Sequence, residues 1–269
     1  MAYYEGFVVP VPKANREEYR KQAADAAPIF HDLGVLRHVE AWASDVPDGK
    51  VTDFRKAVDA TEDEDVVFSW FEYPDKATRD SANERMMSDP RMQEMGATMP
   101  FDGKRKIMGG FDGIVEEGGS RGGYTDGFVV PVPEANREAY RAMAAKMAKV
   151  FQEHGANRIV EAIADDVSHG KVTDFYRAVK AEDGETIVFS FIEWPDKQAR
   201  DAAWAKIMTD ESMKPDGEMP FNGQRMFWGG FDPIVDSAKS ELASAEPARK
   251  LHLVRADDRR RPGREALLR

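Results

Sequence analysis

The sequence is written twice. Gly6-Phe7-Val8-Val9-Pro10-Val11-Pro12 recurs letter for letter as Gly127 to Pro133. At that offset of 121, residues 5–88 match the later stretch at 46 of 84 positions without a gap. After one deletion the offset is 120, and Met99-Pro100-Phe101-Asp102-Gly103 answers Met219-Pro220-Phe221-Asn222-Gly223. A unit of roughly 110 residues is too long for a solenoid repeat and suits a duplicated domain. The expected layout is a first domain over residues 1–116, a Gly-rich linker at 117–123, a second domain over 124–236 and a basic, disordered tail at 237–269.

Each copy reads as β-α-β-β-α-β. In the first, a strand at 6–11 ends at Pro12. Tyr19, Ala23, Ala26, Ala27 and Phe30 then recur at helical spacing and predict a helix over 14–33, with Gly34 as its stop. A strand is expected at 35–43, a turn at Pro47-Asp48-Gly49, and a short strand or extended arm at 50–58. A strongly apolar strand follows at 66–73; Asp75 caps a helix to about Met87, and Asp102-Gly103 feeds a last strand at 104–111. The order is the ferredoxin-like α+β pattern, in which two helices cover one face of a four-stranded antiparallel sheet. The strand at 66–73 is apolar on both faces, with Val66, Phe68, Trp70 and Glu72 on one and Val67, Ser69, Phe71 and Tyr73 on the other. Such a sheet needs cover on both sides, and the second copy supplies it at about 1.5–3 kcal/mol per buried large side chain. A pseudo-twofold sandwich or barrel within one chain is expected.

Composition narrows the function classes. Residues 1–236 carry 29 Lys/Arg against 44 Asp/Glu, a surface that repels phosphate backbones, so nucleic acid is not an expected partner. The run Arg259-Arg260-Arg261 is read as a solvated tail, with a tether for an anionic partner as the other reading. No uncharged apolar stretch approaches 18 residues, so no membrane span is expected. The chain has no cysteine, which excludes disulfides and thiolate chemistry. The first residues read as a strand and not a signal peptide, and a cytoplasmic protein is expected.

The candidate chemistry sits in repeated polar residues. None of the five histidines is repeated and none has metal-ligand spacing, so no metal is expected. The Gly-Gly pairs at 109–110 and 229–230 lack nucleotide-loop spacing; they suggest a bulge or close backbone approach, and no cofactor is expected. Glu40 and its repeat Glu161 lie on apolar strands, where desolvation raises a carboxyl pKa and suits it to acid–base work. The competing reading pairs each with a strand arginine, Arg105 or Arg225. Ser69 and Ser190 have no repeated histidine to activate them and read as small core residues. Glu72 and Glu193, at strand ends, reach either a cavity mouth or a cap or surface position. The repeated segment Lys50–Phe54, again Lys171–Phe175, is a lid or a charge-protected edge strand. The methionines at 86, 87, 92, 95 and 99 are filling beneath a loop or line a ligand path. His38, Trp42 and Trp70 stand where the second copy has Ile159, Ile163 and Phe191, so the halves are expected to differ in specificity.

Taken in order, Gly6–Pro12, Asp45-Val46-Pro47-Asp48-Gly49-Lys50-Val51-Thr52-Asp53-Phe54, Val67-Phe68-Ser69-Trp70 and Met99–Arg105 resemble the YbaA-like bacterial family. The likeness covers residues 3–116 and 124–236; Ser168-His169 departs from it at the second turn motif. It implies the dimeric α/β-barrel fold, with two tandem copies making an intramolecular pseudo-dimer, and leaves further homo-oligomerisation open. The superfamily holds cofactor-free monooxygenases, haem-degrading enzymes, isomerases and small-ligand binders, so the fold implies no single reaction. The expected function is binding of a small organic molecule in an interdomain or intrasheet cavity. Glu40 and Glu161 are the candidate catalytic groups, with His38, Trp42, Trp70, Arg105, Arg225, Phe191, Glu72 and Glu193 as lining. If catalytic, the protein is expected to perform cofactor-independent oxygenation or isomerisation. The alternative is a non-catalytic structural or stress-associated protein with a packed interface.

Overall fold

The computed structural model describes residues 1–119, 121–211 and 217–238. The first half contains β1 (Tyr3–Pro12), α1 (Arg16–Leu33), β2 (Arg37–Asp45), α2 (Phe54–Ala57) and β3 (Glu64–Tyr73), then α3 (Lys76–Ser88), α4 (Pro90–Ala97) and β4 (Ile107–Gly118). The second contains β5 (Thr125–Pro133), α5 (Arg137–Glu153), β6 (Arg158–Asp166), α6 (Phe175–Ala178), β7 (Glu185–Glu193), α7 (Lys197–Ile207) and β8 (Phe227–Ala238). Gly34, at φ 112°, ends α1 in the left-handed conformation that glycine adopts without steric penalty.

The eight strands close into one barrel in the order β1-β3-β2-β8-β5-β7-β6-β4. A lone ferredoxin-like sheet would leave β2 and β4 as unpaired edges. Here β2 pairs antiparallel with β8 and β4 with β6, so each half completes the other. The two seams are equivalent under the repeat: Glu40 lies opposite Val235, and Glu161 opposite Val115. The expected sandwich or barrel is therefore a barrel joined edge to edge.

The seams also correct the expected boundaries. Glu117 and Gly118 pair with Ile159 and Arg158, so they are sheet and not linker. Ser237 and Ala238 pair with His38 and Arg37 and extend β8 into the segment expected to be tail. Residues 239–269, including Arg259–Arg261, lie outside the described residues.

Inside the barrel the inner faces meet as stacked rings. Phe68 lies 4.6 Å from Phe189 at an interplanar angle of 5°, and Trp70 lies 4.2 Å from Phe191 at 23°. A Cβ on Gly6 would come within 2.7 Å of Phe189, and one on Gly127 within 2.9 Å of Phe68; these glycines let the rings in. The Lys50–Phe54 segment is neither lid nor edge strand. It leads into α2, which Asp53 caps by accepting from the Lys56 amide, and α2 packs against α6 across the end of the barrel. Phe54 is edge-on to Phe68, and Phe175 to Phe111. Thr52 donates to the Ala178 carbonyl at 2.6 Å and Thr173 to the Ala57 carbonyl at 2.8 Å, fastening the plug reciprocally.

The lumen is common to both halves, so one core should report on both. Phe189→Ala is expected to cost about 3–5 kcal/mol by lost transfer energy and the cavity left behind. Urea unfolding followed by tryptophan fluorescence and by circular dichroism should still show one coincident transition; separate transitions for the halves would contradict a shared core.

Candidate functional sites on the outer sheet face

With the lumen filled, open space lies on the other face of the sheet, beneath the long helices. Period-two alternation turns Ser69 and Phe71 outward while Phe68 and Trp70 face inward. The first half encloses a cavity of about 200 Å³ between this face, α1 and the methionine-rich segment around α4, and the second an equivalent cavity of about 160 Å³ beneath α5. Asp89 caps α4, a helix that does not emerge from the sequence, and Pro90 starts it; Met92 and Met95 reach the cavity from it. Of the five methionines singled out in the sequence, Met99 also lines the cavity, while Met86 packs against the core and Met87 is exposed.

Glu40 and Glu161 line the two cavities. Tyr19 of α1 donates to Glu40 at 2.7 Å, and Tyr140 of α5 to Glu161 at 2.8 Å. Burial, reinforced by the carboxyl each one meets, holds both phenols well above their usual pKa. In the first half His38 Nε2 also lies 2.8 Å from Glu40 Oε1; opposite an ionised carboxylate that nitrogen carries the proton. The His38 ring is held edge-on by Phe30 and Phe71, each 5.0 Å away. Lys106, just before β4, lines the same cavity, and burial lowers its pKa against the opposing pull of Glu5 and Glu40. Among the described residues no carboxylate lies within ion-pair distance of its ammonium. In the second half Ile159 and Met226 stand at the equivalent positions, and of the two Met226 lines the cavity. Burial there pushes Glu161 up to about 7, against the hydrogen bonds from Tyr140 and Ser190.

Other expected site residues lie elsewhere. Arg105 does not meet Glu40; it closes on Glu64 at 2.6 Å, and Arg225 on Glu185 at 2.7 Å. The turn before β4 meets the start of β3, and the turn before β8 the start of β7, each across one intervening strand. Trp70 and Phe191 are buried in the lumen and line neither cavity. Trp42 packs beside Tyr19, its indole N–H donating to Asp65 at 3.0 Å, and stays outside the lining. Glu72 and Glu193 share Trp70's inward face and sit in a buried charge cluster, not at a cavity mouth. Arg37 reaches Glu193 at 2.6 Å and Asp236 at 2.7 Å, while Arg158 reaches Glu72 at 2.7 Å and Glu116 at 2.6 Å. Burial would raise the Glu72 carboxyl, but Arg158 and Arg37 outweigh it and hold its pKa below the usual value.

The comparisons agree with this architecture. The chain matches the family described as Protein of unknown function (DUF1428) at residues 2–103 and again at 123–223. It belongs to that family. The "Uncharacterized protein YbaA" of Escherichia coli strain K12 is 64% identical over 117 residues, 44% of this chain and the whole of that protein. The protein of the same description from Shigella flexneri matches equally. A candidate monooxygenase from Fusobacterium nucleatum superposes with a TM-score of 0.54 at 11% identity, over 89% of this chain and 95% of its own. An anthrone oxidase-like protein gives 0.54 at 12% identity, over 89% and 94%. At such identities the likeness establishes the dimeric α/β-barrel fold and no activity.

Two groups of functional interest escape sequence reasoning. Arg37 and Arg158 carry a signal, since they repeat at the start of equivalent strands. Lys106 carries the opposite one, a charged residue whose counterpart is Met226.

Glu161 makes a sign-definite prediction. Its folded-state pKa is raised, so the unfolded chain gives up this proton first. Stability is then lost as pH rises from about 4.5 to about 7 and is level above that. Glu161→Gln should remove that loss. The variant should match the parent in acid and exceed it above neutral pH by at most about 3 kcal/mol, less where cavity water reaches the carboxyl. Urea midpoints across the pH range measure this, and a constant difference would contradict it.

Proposed function

We propose that the first-half cavity binds a small, largely apolar organic molecule with an acidic C–H. Glu40 takes that proton, and Lys106 neutralises the oxyanion that forms. The observation that carries the reading is one cavity holding both a buried carboxylate, fixed by Tyr19 and His38, and a half-buried ammonium that among the described residues has no carboxylate within ion-pair distance. A carboxylate that faces the cavity and is held in one orientation is placed to take a proton from a bound C–H. An ammonium already facing the cavity stabilises negative charge as it develops, without reorganising. Tyr19 and His38 hold the Glu40 carboxylate in one orientation, so they are positioning residues. Trp42 supports Tyr19 from behind, and Arg105 and Arg225 brace the turns that carry Lys106 and Met226.

Oxygenation of the resulting carbanion by dioxygen, with no bound cofactor, extends this reading; the monooxygenase and oxidase names of the fold neighbours bring it in by analogy. We place the activity in the cytoplasm, in keeping with an acidic chain free of cysteine. The filled lumen favours a second reading, a non-catalytic protein whose purpose is the packed body itself.

Anthrone, a flat ketone with an acidic C–H, is a suitable probe. Its oxidation to anthraquinone consumes one dioxygen and yields one water. The protein should accelerate dioxygen uptake with anthrone, and Glu40→Gln should lower that acceleration by about 100-fold or more. An acceleration unchanged in Glu40→Gln would remove Glu40 as the base, and binding with no turnover would support the non-catalytic reading.

A further inference from the structure

The second-half cavity repeats the first in shape but not in charge. Gln22, His38 and Lys106 correspond in sequence to Met143, Ile159 and Met226, of which Met143 and Met226 line the second cavity. Its carboxyl, Glu161, has Tyr140 and Ser190 beside it. Among the described residues no Lys, Arg or His lies within ion-pair distance of that carboxyl. A carboxylate facing apolar walls without a cation sheds its charge by taking a proton. The neutral form then carries an O–H in need of an acceptor. Tyr140 is already committed as a donor toward Glu161, and the open side of the carboxyl is the cavity.

We propose that the second-half cavity is a separate binding site for an uncharged, apolar molecule bearing a carbonyl or ether oxygen, which the Glu161 carboxyl holds by donating its O–H. The site disfavours organic anions, because among the described residues its apolar walls offer no cation to offset the loss of an anion's hydration. It stands apart from the reading of Glu40, and either can fail without the other.

The surroundings of Glu161 define how this binding depends on pH. From α5 the titratable group facing it is Tyr140, whose phenol stays protonated far above neutral pH. β7 offers Ser190, β4 places Val115 across the ladder, and Phe221 and Met226 close the wall; none of these ionises. Among the described residues Glu161 therefore sets the dependence, and the donor is lost as pH rises past about 7.

Methionine methyl groups report on each cavity separately: Met143, Met147 and Met226 on the second, Met92 and Met95 on the first. The full chain, labelled at methionine methyls and assigned by single Met→Leu changes, is titrated with acetophenone and with benzoate, a matched neutral and anionic pair. Acetophenone should shift the Met143, Met147 and Met226 methyls at pH values near 6 and bind several-fold more weakly near pH 8.5. Benzoate should shift them roughly tenfold more weakly. Glu161→Gln, which keeps a donor, should retain acetophenone binding and lose its pH dependence, and Glu161→Leu should lose several-fold in affinity. The double change Ile159→His with Met226→Lys should admit benzoate. Equal binding of both probes in the second half, unaltered affinity in Glu161→Leu, or no shift from millimolar acetophenone would each overturn the proposal.

Discussion

The barrel rests on mutual edge pairing. Neither half has a sheet that is complete alone, because β2 and β4 on one side and β6 and β8 on the other are edges until they meet. Once they meet, the inner faces are forced together, and the stack of Phe68 on Phe189 and of Trp70 on Phe191 follows from the register of those seams. The same closure brings Arg37 and Arg158 within reach of the opposite half's glutamates. An ionised pair in so enclosed a place is tolerable only because every charge there has an opposite neighbour. Filling the lumen leaves the outer face, under α1 and α5, as the place for solvent-reachable space.

The duplication made most of this fold legible. Order, strand count and the need for a second covered face follow from residues such as Val66, Phe68 and Trp70 alternating with Val67 and Phe71. Alternation, however, states which residues share a face and not which face the helices cover. That is why Trp70 and Phe191 read equally well as ligand-lining and as lumen, and why Glu72 and Glu193 could not be told from cavity-mouth residues. Glu40 and Glu161 were legible as unusual because a carboxyl amid apolar strand neighbours is unusual wherever the strand lies. Their partners were not, because Tyr19 and Tyr140 approach from helices that the strand pattern does not locate. The Arg105–Glu64 pair depends on where one turn comes to rest, a tertiary fact with no periodic signature. Met92 and Met95 showed their apolar character in sequence, but the short helix under Asp89 and Pro90 that presents them did not emerge from it.

A chain that contains both halves escapes a restriction that binds a symmetric pair of single domains. Two identical copies have two identical cavities, so any residue that suits one ligand is imposed on both. Here each half carries its own His38 or Ile159, its own Lys106 or Met226. Such changes are cheap because they fall on the outer face, where a side chain meets a cavity and not a stacked ring from the other half. The lumen has less freedom. A Cβ at Gly6 or Gly127 would collide with the opposite half's phenylalanine, so a change there must be answered across the barrel. The geometry thus separates a core that has to remain matched from two cavities that do not, and a cavity lined by His38 and Lys106 beside one lined by Met143 and Met226 is the form that separation has taken.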